Sequence, residues 1–200
     1  MERPMRLVRW AGVANLLAGV TLIIHALLHP QGTSAAATQE SLWLPAHVIG
    51  YIGFILGMFG IVGLLAGQIG ALKSGGVAGF AMAFAGQTIT AGIVFFDSFV
   101  APVLGRDAPS LLDTQGPLFG GPVGIVVIIG GLLVTIGYIT FGIATMRAGV
   151  LPRWGALLVV LGSWFGLVAA FSHIAFVVGA VIFGIGNVWL GYGLWSAGSR

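Results

Sequence analysis

Cysteine is absent from this chain, which excludes disulfides, thiolate metal ligands and a cysteine nucleophile at one stroke. Charge is almost as scarce. Eight Lys and Arg and five Asp and Glu make up 6% of 200 residues, where a soluble domain carries about a quarter. The net charge of +3 is carried by single, scattered basic residues, so there is no patch to read phosphates and nucleic acid is excluded as a partner. Also missing are a G-x-S-x-G nucleophile elbow, a Walker loop and the Glu of H-E-x-x-H, which leaves no soluble-enzyme motif.

What is present is apolar: 58% of the chain is hydrophobic and 34 residues are glycine. Runs of about 20 apolar residues, long enough to cross a bilayer as helix, occur at roughly 8–28, 44–65, 77–100, 123–146, 154–171 and 174–195. The spacing predicts an all-α fold: a polytopic transmembrane bundle of six helices forming a single domain over 1–200, with short connections between antiparallel neighbours. Arg3, Arg6 and Arg9 ahead of an apolar run, with Ala35-x-Ala37 behind it, mimic a secretory signal. Its apolar core exceeds the usual length of about 7–15 residues, so it is read as a retained first helix.

Six crossings put both termini on one side together with the second-to-third and fourth-to-fifth connections. Arg3, Arg6, Arg9, Lys73, Arg147, Arg153 and Arg200 then share that side and Arg106 alone lies opposite. The bias predicts cytoplasmic termini in a multi-pass protein of the cytoplasmic (inner) membrane of a prokaryote. The outer side receives Glu40, Asp97, Asp107 and Asp113, and the proline-bearing connections at 30–43 and 101–122, expected as ordered turns or short interfacial pieces.

All four histidines fall on that outer side. His25 and His29, in "HALLHP", stand four apart and therefore on one helix face; His47 follows Pro45 in the first turn of the second helix; His173 opens the last. At a rise of about 1.5 Å per residue, His25, His47 and Asp97 lie roughly 4–5 Å inside their helix ends. A cluster of His25, His29 and His47 completed by Asp97 suits a transition metal (zinc, copper or iron), with His173 as a further ligand or outer partner. Two of the histidines could instead hold one haem b, and the role expected of either site is redox chemistry (electron transfer or oxidase-like) or metal handling. The alternatives are interfacial histidines without a cofactor, each bonding a carbonyl or water.

Asp97, in "FFDSFVAP", is the one carboxylate inside an apolar run, and Thr90, Gly86 and Gln87 continue a polar strip toward mid-membrane, as a small-solute or proton transporter would need. Asn15 and Asn187 read as amides that tie helices together, and Gly53 and Gly57 as a close-packing pair. A third reading is an accessory subunit of a larger membrane complex or homo-oligomer. "MRAGVLPRWGALLVVLG" (146–162), "LWLPAHVIGYIGF" (42–54) and "FFDSFVAPVLG" (95–105) resemble segments of uncharacterised bacterial multi-spanning membrane proteins of unknown function. The resemblance implies a six-helix integral membrane fold and supplies no activity.

Overall fold

The computed structural model describes residues 2–168 and 171–197, with the side chains of 2–5 left aside. Arg200 lies outside the described residues, as does the side chain of Arg3. Among the described residues there is no strand. Among the described residues, five helices are long and apolar enough to cross a membrane: α1 (Glu2–Leu28, apolar from Arg6), α2 (Trp43–Ala66), α3 (Ser74–Phe99), α5 (Pro122–Ala148) and α8 (His173–Ala197). Between them lie α4 (Ala101–Asp107), α6 (Arg153–Gly162) and the single turn α7 (Phe165–Val168).

Prolines set several boundaries. Pro30 forces its predecessor out of helical geometry, and α1 stops at Leu28. Pro45 and Pro122 occupy first turns, where a missing N–H costs nothing. The 101–122 connection condenses into α4 and a 3-10 turn at Pro109–Leu112, and 30–43 into a 3-10 turn at Ala37–Gln39. Leu112, Ala37, Ala101 and Trp43 form a small apolar cluster that caps this end of the bundle.

The fifth apolar run departs from expectation. Instead of one helix over 154–171, α6 ends after ten residues, about 15 Å of rise against a bilayer core of about 30 Å. Its last carbonyls are taken by side chains: Ser163 Oγ donates to Val160 O (2.9 Å) and Trp164 Nε1 to Leu161 O (2.7 Å). Thr135 Oγ1 of α5 reaches the Ser163 carbonyl at 3.3 Å, so the break is satisfied by a neighbouring helix.

Packing closes on itself. α6 lies against α8, α8 against α1, α1 against α2, α2 against α3, α3 against α5, and α5 against α6, which makes a ring of helices around a central axis. At one seam the backbones nearly touch: a Cβ on Gly12 of α1 would meet the Gly191 carbonyl of α8 at 2.8 Å. The outer surface of the ring is a belt of large apolar side chains, with Phe59 63% and Ile128 61% exposed.

Alternate elements run in opposite directions. The end of α2 meets the end of α5 where Gln68 Nε2 donates to Thr145 Oγ1 (2.9 Å), and the Arg9 guanidinium sits 5.9 Å from the Trp195 ring, joining the start of α1 to the end of α8. Arg9, Lys73, Arg147 and Arg153 thus belong to one end of the bundle, and the four histidines to the other.

Candidate functional site: an imidazole cluster at one end of the ring

The last turn of α1, the first turn of α2 and the start of α8 converge at that end. His25 and His47 are 5% and 2% exposed, while His29 and His173 are half-buried. Ring centres are 4.7 Å apart for His29 and His47, 5.2 Å for His25 and His29, and 5.5 Å for His25 and His47. His173 joins from α8, the other neighbour of α1, 6.3 Å from His29. Trp43 stacks on His47 at 4.1 Å and Phe176 stands edge-on to His25 and His29, so the cluster has aromatic walls.

Each of the three central rings spends the same nitrogen on the backbone. His25 Nδ1 donates to Ala46 O (2.9 Å), His29 Nδ1 to Pro30 O (2.7 Å) and His47 Nδ1 to Trp43 O (2.8 Å). A carbonyl only accepts, so Nδ1 carries the hydrogen and the neutral ring keeps its lone pair on Nε2. No described residue bonds any of these Nε2 atoms. At the helix end, burial together with the neighbouring His173 holds His29 below its ordinary value, against the pull of the Pro30 carbonyl.

The cluster is tight because α2 has no side chains in the way. A Cβ on Gly50 would stand 2.7 Å from His25 Nδ1, one on Gly53 2.5 Å from Thr21 Oγ1, and one on Gly60 2.5 Å from Asn15 Oδ1. Gly57 faces Gln87 in the same way. Gly53 and Gly57, the spacing noticed in the sequence, therefore belong to a longer smooth stripe that receives the polar side chains of α1 and α3.

The rings gather, but their nitrogens do not meet at one point: among the described residues no three His, Asp or Glu side chains stand so as to hold a metal ion. Asp97 is not among them. Its backbone carbonyl accepts from Trp43 Nε1 (2.7 Å), which sets the indole between His47 and α3, and its buried carboxylate forms no ion pair with any described residue. Among the described residues the one ion pair joins Arg106 and Asp107 at 2.8 Å, on the exposed α4.

The polar strip also divides. Gln87 points into the ring, donating to Phe54 O (2.9 Å) and accepting from the Tyr138 hydroxyl, whereas Thr90 bonds the Gly86 carbonyl of its own helix (2.9 Å). Asn15 Nδ2 donates to the Asn187 carbonyl of α8 (2.7 Å), and Asn187 Nδ2 to Phe183 O (3.0 Å). Sequence reasoning passed over Tyr138, the one phenol of α5, and Trp43, the first residue of α2.

No known protein family, curated protein or solved structure matches this chain.

Proposed function

We propose that this chain is a multi-pass protein of a prokaryotic cytoplasmic membrane that holds one transition-metal ion at its outer end, for metal handling. The ligands would be the Nε2 atoms of His25, His29 and His47, with His173 as a fourth or an outer partner. In this reading α6 and α7 complete a sixth crossing, and the end bearing Arg9, Lys73, Arg147 and Arg153 lies in the cytoplasm by the positive-inside bias.

The observation that carries the reading is the shared use of Nδ1. Metal-bound imidazoles characteristically give their other nitrogen to a carbonyl or carboxylate, which fixes the tautomer and aims the ring. Ring spacing supports it as well. With nitrogen about 2.0–2.1 Å from the ion, the centres of three ligating imidazoles stand about 5 Å from one another, and the separations here run from 4.7 to 5.5 Å. The ion would draw the nitrogens inward by tilting rings whose centres already stand where they are needed.

A bare ion is favoured over haem because the central rings stand tilted or edge-on to one another rather than opposed across a flat slot. The transporter reading is weakened at the other end, where a Cβ on Gly63 would run into Ala11 and stand 3.3 Å from Leu194, leaving the helices in direct contact.

The test is elemental analysis of protein purified in lipid nanodiscs, followed by titration with Zn²⁺, Cu²⁺ and Fe²⁺. One ion per chain is expected, lost when His25, His29 and His47 are replaced by Ala. Failure to take up any of the three stoichiometrically refutes the proposal.

A further inference from the structure

Directly below the imidazole cluster, inside the ring, lies a cavity of about 40 Å³. It is bounded by the glycine stripe of α2 at Gly50, Gly53 and Gly57 and by Gln87, Tyr138 and Asn187. Within a cavity lining that is otherwise apolar, three polar side chains from three different helices turn toward one space. All three are buried, at 4%, 5% and 5% exposure.

Their hydrogen-bonding capacity is not used up by the protein. Tyr138 donates to Gln87, which leaves the phenolic oxygen free to accept; Gln87 Nε2 gives one hydrogen to Phe54 O and keeps a second. The Asn187 amide donates to Phe183 O, while its oxygen accepts from no described residue. Among the described residues the one fully enclosed side-chain nitrogen or oxygen without a partner is Gln68 Oε1. The Asn187 oxygen, equally without a donor, must therefore border open space, and this cavity is the space that Asn187 lines.

We propose that the cavity is a water-binding site, holding a small cluster fixed by the Tyr138 oxygen, the Asn187 oxygen and the second Gln87 N–H. A buried water needs about 10–15 Å³ and two to four polar partners, so about three or four fit here. An apolar cavity of the same size would stay dry. Gly50 is shared by the cavity wall and the His25 contact, so one end of the cavity reaches the imidazole cluster, while Gln87 beside Gly57 and Asn187 beside Asn15 stand deeper in the ring. This site stands on its own groups and does not depend on an ion being bound.

Solid-state NMR of the full chain in lipid, with magnetisation transferred from water, tests it. Cross-peaks from water to the Tyr138, Gln87 and Asn187 side chains are expected, together with ordered density at the Tyr138 and Asn187 oxygens in a high-resolution structure. Tyr138→Phe combined with Asn187→Leu should abolish both and let the cavity take up xenon. Saturable xenon uptake by the unaltered protein, or the absence of water signals from all three side chains, overturns the proposal. Because the unaltered protein gives the deciding signal, the inference remains testable even if the double variant does not fold.

Discussion

Replacing Gly50 by Ala adds one methyl group where the structure leaves no room for it. The new Cβ would sit 2.7 Å from His25 Nδ1 and 2.9 Å from its Cγ, well inside van der Waals contact. The ring is buried and cannot swing to solvent, so it must leave the Ala46 carbonyl or push α1 away from α2. Overpacking costs about 1–3 kcal/mol and the forfeited hydrogen bond about 1 kcal/mol. Against this, alanine gains about 0.5–1 kcal/mol over glycine within a helix. The net loss is about 1–3 kcal/mol, which for a chain of this length lowers the melting temperature by roughly 3–10 °C. Gly92 of α3 is the control, because a Cβ there meets nothing within 4 Å, so Gly92→Ala should be neutral or slightly stabilising. Thermal unfolding of both variants in one detergent measures the difference. Equal melting temperatures would refute the account of α2 as a surface shaped to His25.

Gln68→Met should leave stability unchanged or raise it, since the Gln68 amide gains one bond to Thr145 but buries an oxygen without a partner; a loss above about 2 kcal/mol in denaturant titration contradicts this. His47→Ala should weaken ion affinity by more than the 10–100-fold typical of removing an outer partner, whereas Asp97→Asn, whose carboxylate takes no part in the cluster, should leave it within about twofold. Competition with a chelator of known affinity reads both. His29 is held below its ordinary value of 6.5, so the unfolded chain takes up its proton first as pH falls. The stabilisation is present in full above pH 6.5 and is lost on acidification below it; metal-free protein that gains stability between pH 7 and 5 would reverse the sign.

The long helices were legible because a bilayer demands continuous apolar length, and the common end of the histidines followed from alternating directions. Details that depend on where one nitrogen points were not. Nothing in "HALLHP" or "PAH" announces that three Nδ1 atoms each find a carbonyl, because the Ala46 acceptor belongs to a different helix from His25. The break after Gly162 was hidden by hydropathy: Trp164 and Phe165 keep the average apolar while Ser163 and Trp164 take up carbonyls of the preceding turn. At Asp97 the hydrogen bond that holds Trp43 runs to the main-chain oxygen, which every residue has, so no pattern of side chains could announce it.

Closure of the ring through α1 and α8 couples the beginning of the chain to its end. The bare strip of α1 around Gly12 and Gly19 has no cover until the last segment has been made, because the surfaces that seal it lie at Gly184 and Gly191. Synthesis of the first five-sixths of the chain therefore yields an open arc, with the Asn15 amide still lacking the Asn187 carbonyl. Truncation before residue 173 would leave that arc permanently open, with the backbone of α1 at Gly12 and Gly19 uncovered.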